Sequence, residues 1–92
     1  MTIVHRIYNV EELKEIHLLS IYNRRKIKKK NHACACFHCQ QKFDSSMIID
    51  WCDAGRTAIC PFCNVDSVLF ENAKFSISDS MLNQMHRSWF SY

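Results

Sequence analysis

Four cysteines in two C-x-x-C pairs carry the clearest chemistry in this chain. Cys36 and Cys39 bracket Phe37 and His38, Cys60 and Cys63 bracket Pro61 and Phe62, and twenty residues separate Cys39 from Cys60. Two thiolates two residues apart can grip one ion from a single tight turn, and two such turns complete a tetrahedron. The pattern C-x2-C-x20-C-x2-C therefore reads as a structural site for one zinc ion, with Cys36, Cys39, Cys60 and Cys63 as ligands. Three other uses of these thiols stay open: disulfides in an oxidising compartment, an iron-sulfur cluster drawing on the dense Cys34, Cys36 and Cys39, and redox chemistry by one C-x-x-C pair. Cys34 stands one residue from Cys36, an awkward bite for a metal turn, and is read as a spare thiol. His32 and His38 lie nearby, but four thiolates already satisfy zinc. The His38 side chain, inside the first turn, is expected to point outward.

A chain of 92 residues is read as one domain over residues 1–92, and a domain this small buries a limited core. A metal would supply the missing constraint, because binding free energy at such a site becomes folding free energy. The apolar share of 48% excludes a disordered chain, and one Gly and one Pro leave no room for a flexible linker. No stretch approaches the ~20 apolar residues of a membrane span. Met1 to Val10 carries His5 and Arg6 and no apolar run of signal-peptide length, so the expectation is a cytoplasmic protein without a membrane partner.

The elements that must position the cysteines read as follows. Residues 3 to 8 are β-branched and aromatic, as in a short strand or a lead-in. Asn9 can cap a helix, Glu12 completes a capping box, and Val10, Leu13, Ile16, Leu19 and Ile27 fall on one broad side of a helix over about 10–30. A zinc module spans about 34–70. Within it, Asp44-Ser45-Ser46 offers caps for a short helix over about 46–53, with Met47, Ile48, Trp51 and Cys52 on its apolar face and Gly55 ending it. Trp51 and Cys52 are read as core. Residues 56–59 and 67–70 read as the two strands of a β-hairpin with Cys60 and Cys63 at its tip, and Asp66 as a local cap. A last helix over about 79–90 follows, with Met81, Leu82, Met85 and Trp89 at helical spacing.

Residues 34–70 also carry a resemblance. Cys34-Ala35-Cys36-Phe37-His38-Cys39 with Phe43 resembles the C-x-C-aromatic-x-C-x3-F start of a group of small, uncharacterised bacterial cytoplasmic proteins. Trp51 to Cys63 is similar to the same group's W-x-D-x-G-x-T-A-x-C-P-x-C segment, and Asp66-Ser67-Val68 and Met85 to Phe90 are similar too. The likeness covers about two-thirds of the chain. It implies a zinc-ribbon-like protein with metal at the four cysteines and carries no established activity. The fold expected is thus small α+β: a zinc-ribbon-like, two-knuckle β-hairpin module with an N-terminal helix, a short central helix and a C-terminal helix.

Charge is uneven. Residues 1–46 hold nine basic and four acidic residues, whereas residues 47–92 hold three and five. Residues 24–30 put six cations in seven positions, which suits either a solvated helix end or a contact surface made by Arg24, Arg25, Lys28, Lys29 and Lys30. No aromatic residue interrupts the run, which weakens a reading as a single-strand nucleic-acid site. A four-thiolate site is coordinatively closed, and no Gly-rich phosphate loop, H-E-x-x-H or nucleophile elbow is present. The leading expectation is therefore a non-enzymatic protein-interaction module, an adaptor or an inhibitor or immunity-type binder, with an unidentified protein partner. The alternative is a nucleic-acid-binding zinc ribbon using the basic run, and thiol redox chemistry ranks third.

Overall fold

The computed structural model describes residues 7–29 and 31–90. Residues 3–6 of the expected first strand, Lys30 of the basic run and Tyr92 lie outside the described residues. The described chain forms α1 (Val10–Leu18), α2 (Arg24–Lys29), β1 (Ala33–Cys36), β2 (Lys42–Asp44), a single 3-10 turn (Ser45–Met47), β3 (Trp51–Cys52), β4 (Thr57–Ala58), β5 (Val68–Phe70) and α3 (Asp79–Phe90).

A three-stranded antiparallel sheet in the order β2-β1-β5 is the central layer. Residues 34–36 of β1 and all of β5 are buried, while β2 exposes Lys42 and Asp44, and the two-residue period of the strands sorts the buried side chains between two cores. Ala35 and Leu69 face one way, into a cluster with Ile16 of α1 and Met81, Leu82 and Met85 of α3. Cys34, Cys36, Val68 and Phe70 face the other way, into a cluster with Ile27 of α2, Ala58 and Cys60. The expected small α+β class, with N-terminal, central and C-terminal helices flanking a multi-stranded sheet, is what the chain adopts.

The helix starts follow the sequence closely. Asn9 Oδ1 accepts the Glu12 N–H at 2.9 Å, and Glu12 Oε1 accepts the Asn9 N–H at 3.2 Å, completing the capping box of α1. Ser78 Oγ accepts the Met81 N–H at 3.1 Å at the start of α3. Met81, Leu82 and Met85 are its buried stripe.

Three local expectations need correction. The helix over 10–30 is two helices at an angle set by residues 19–23. Ser20 Oγ donates to His17 O at 2.6 Å, Tyr22 turns to φ 50°, and Asn23 buries its amide completely enough to be 1% exposed. Asn23 Nδ2 donates to Leu19 O and to Val68 O, both at 3.0 Å, and its Oδ1 accepts the Ala58 N–H at 3.0 Å. One side chain thereby ties the end of α1 to β5 and β4. No Gly or Pro marks this break, because tertiary hydrogen bonds cause it.

The helix expected over 46–53 is one 3-10 turn. Asp44 Oδ1 accepts the Ser46 N–H at 2.9 Å, but Ile48 already leaves in extended conformation. Trp51 and Cys52 then pair with Ala58 and Thr57 as a hairpin. Asp53, Ala54 and Gly55 all take positive φ in its turn, so Gly55 serves a hairpin and not a helix end. The apolar positions 48 and 51 satisfy a strand entry as well as a helix, which is why periodicity misled. For the same reason the strands around the second cysteine pair do not pair with each other: β4 runs with β3 and β5 with β1.

Asn23→Ala leaves two carbonyls and one N–H unpaired in the interior, each costing ~1–3 kcal/mol. The variant is expected to lose about 3 kcal/mol or more of stability, read from urea unfolding of the metal-loaded protein.

Candidate metal centre

The four expected cysteines come together. The Sγ atoms of Cys36, Cys39, Cys60 and Cys63 all lie within 4.8 Å of one another. Cys36 Sγ is 3.6 Å from Cys63 Sγ and Cys39 Sγ is 3.7 Å from Cys60 Sγ. A tetrahedral zinc with ~2.3 Å bonds to sulfur needs edges of about 3.8 Å, so the donor set fits that ion. Cys36 and Cys60 are fully buried, and Cys39 and Cys63 half-buried.

The two turns have the same backbone. Gln40 N–H donates to Cys36 O at 2.7 Å, and Asn64 N–H to Cys60 O at 3.0 Å. Cys36 N–H donates to Gln41 O and Cys60 N–H to Val65 O, both at 3.0 Å. Gln40 and Asn64 both adopt positive φ, 62° and 64°. The His38 N–H points at Cys36 Sγ at 3.3 Å, and the Phe62 N–H at Cys60 Sγ at 3.4 Å. Each turn thus aims one backbone dipole at its first sulfur, which favours the thiolate that a metal requires.

Charge on Cys39 and Cys63 is otherwise resisted. Burial, then the charge on Cys36, pushes the Cys39 thiol up, and burial does the same to Cys63. Cys60 goes the other way: burial opposes its ionisation, but the N–H groups of Cys63 and Phe62 and the neighbouring thiols outweigh it. Sulfurs this close ionise together only against a cation. Ser67, 2% exposed, sits with its Oγ 3.1 Å from Cys36 Sγ and is placed to donate to it. Sequence reading gave Ser67 no role beyond a strand start. The D-S-V motif around it was the available signal.

Cys34 does not join the group. It lies on the same face of β1 as Cys36, buried, with its Sγ 3.7 Å from His32 O. Burial, with the Asp44 charge added, pushes its thiol up to about 12, so it stays protonated. Cys52 is half-buried, not a core residue, and groups with the exposed Asp53 and Asp66. Asp53 Oδ2 there accepts the Thr57 hydroxyl at 2.8 Å, and Asp66 forms no cap among the described residues.

His38 does not point outward. Its ring stands edge-on to Phe90, 4.6 Å between centroids, and Nδ1 is buried. The metal turn is clamped by α3, where His86 Nδ1 also lies 3.2 Å from Phe37 O. Trp89 stacks on His17 of α1 at 4.5 Å. This aromatic contact closes the α1–α3 layer over the first turn.

The basic run forms α2, on the opposite layer. Arg24 Nη1 donates to Gly55 O at 2.9 Å, and its guanidinium lies 4.9 Å from the Trp51 ring centroid. Lys28 Nζ is 5.7 Å from the same ring. Arg56 covers Tyr22 at 4.9 Å. The fold therefore supplies the aromatic neighbours that the run itself lacks. Tyr22, Arg24, Arg25, Lys26, Lys28, Lys29 and Arg56 line one open concavity of about 1000 Å³.

No family profile, curated protein or solved structure matches this chain. The likeness to small bacterial proteins rests on the quoted motifs alone, while the cysteine cluster able to hold a metal rests on geometry. No helix among the described residues is long and apolar enough to cross a membrane.

Purified protein is expected to carry one zinc ion per chain by elemental analysis. Cys34→Ala should keep that stoichiometry, and Cys36→Ser or Cys60→Ser should abolish it. Ser67→Ala should weaken zinc binding by about tenfold in a chelator competition, the usual size of a lost hydrogen bond to a ligand atom.

Proposed function

We propose that this protein is a non-enzymatic binding module, built on one structural zinc ion, whose α2 face captures a polyanionic macromolecule. Four cysteines fill a tetrahedron, which leaves no open position at which a metal could activate water or substrate. The ion's work in this reading is to hold the two knuckles, and with them the layers, in place.

The observation that carries the reading is the charge on α2. Arg24, Arg25, Lys26, Lys28, Lys29 and Arg56 share one concavity, and among the described residues none of them pairs with a carboxylate. Lys26, Lys28 and Lys29 do suit the C-terminal end of α2. Such a helix-end interaction is worth only ~0.3–1 kcal/mol per charge, and like charges this close repel one another. A solvated helix end needs fewer of them. An anionic partner removes the repulsion on binding and explains the excess. An adaptor or inhibitor covering an acidic protein surface meets this requirement, and so does nucleic acid.

The test compares the wild-type chain with a variant carrying Arg25→Glu and Lys29→Glu, immobilised and exposed to host extract. Both are first checked for one zinc and for the same unfolding midpoint. Partner capture by wild type that fades with salt and is absent from the variant is expected. Equal capture by both would sink the assignment of α2 as the contact surface.

A further inference from the structure

We propose that the α2 concavity binds single-stranded nucleic acid, with phosphates held by Arg25, Lys26, Lys28 and Lys29 and a base stacked at Tyr22. The inference rests on α2 being the contact surface and names what it takes.

Tyr22 is the observation that separates nucleic acid from an acidic protein. It adopts φ 50°, a region that costs a bulky side chain energy, and the residue is 58% exposed. Its backbone is held there by the N–H donated to Thr57 Oγ1 at 3.0 Å. The ring belongs to neither core cluster, and its neighbour is the Arg56 guanidinium. The fold thus keeps a strained, exposed aromatic at the lip of a cationic concavity. An acidic protein surface needs the charges and not the ring. A base needs both, since stacking on aromatic and guanidinium planes is how unpaired bases are held.

The surrounding groups fit the same occupant. Arg24 is fixed between Trp51 and Gly55 O, so it forms a rigid wall. Arg25, Lys26, Lys28 and Lys29 project from a helix of only six residues. Such a stub is too short to read the major groove of a duplex, and its concavity suits a flexible strand bending over it. DNA and RNA single strands offer the same phosphate and base chemistry.

The experiment is fluorescence anisotropy with the zinc-loaded chain and four labelled probes: twelve-nucleotide oligo-dT, twelve-nucleotide oligo-U, a duplex of equal length, and polyglutamate of matched charge. Both single strands should bind more tightly than duplex and polyglutamate. The slope of log K against log salt should be about −3, from four phosphate contacts at ~0.7 each. Tyr22→Asn, chosen because Asn tolerates the left-handed backbone, should weaken binding roughly tenfold with the slope unchanged. Tyr22→Phe should bind as wild type does. A preference between oligo-dT and oligo-U identifies the natural strand and supports the proposal either way. Tyr22→Asn binding like wild type, or duplex binding more tightly than single strands, overturns it. Polyglutamate binding most tightly overturns it while leaving the binding-module reading standing. Failure of every probe at low salt overturns the proposal and leaves the binding-module reading to the capture experiment.

Discussion

Four sulfur atoms have to occupy the corners of one small tetrahedron, and the rest of the fold is arranged to bring two turns to that point. Each turn is made the same way, with a carbonyl-to-amide closure around the cysteines, a left-handed residue after the second cysteine and a backbone N–H aimed at the first sulfur. The first turn joins β1 to β2. The second hangs between β4 and β5, which belong to different sheets. The four sulfurs meet where the two sheets approach each other at one end.

Asn23 holds them from the other. Its three hydrogen bonds reach Leu19, Ala58 and Val68, so one buried amide bridges the segment after α1 and both sheets. A buried amide is expensive unless all its groups are satisfied, and here each finds a partner. The result is a small domain with two distinct ties: one built from cysteines grouped for a metal, the other from a polar side chain in the interior.

Those two ties differ in how visible they are in the sequence. The cysteines announce themselves by spacing, because a metal turn is local and its geometry repeats. The cap at Asn9 and Met81, Leu82 and Met85 of the α3 stripe are local too and read correctly, whereas Trp89 of that stripe stays exposed. Asn23 looks like any polar residue in a helical pattern, since two of its three partners stand 35 and 45 residues away. The break it causes was therefore invisible, as was the switch of Trp51 and Cys52 from helix to strand. The aromatic partners of the basic run were hidden for the same reason. Trp51 reaches α2, and Arg56 reaches Tyr22, only through the fold. His38 was misplaced because local geometry places its Cα but not α3, whose Phe90 takes up the ring.

One packing detail joins the two ends of the molecule. Ile27, the buried residue beneath the cations of α2, lies in the same core cluster as Cys36 and Cys60. The charged surface is the outer skin of the layer whose inner side closes over the sulfurs. Linkage then runs in both directions: whatever factor a bound metal adds to the affinity of α2 for an anionic ligand, that ligand returns to the metal. In the proposed reading, loss of the ion removes the surface without any signal passing through a separate regulatory site, and a bound ligand makes the ion harder to remove.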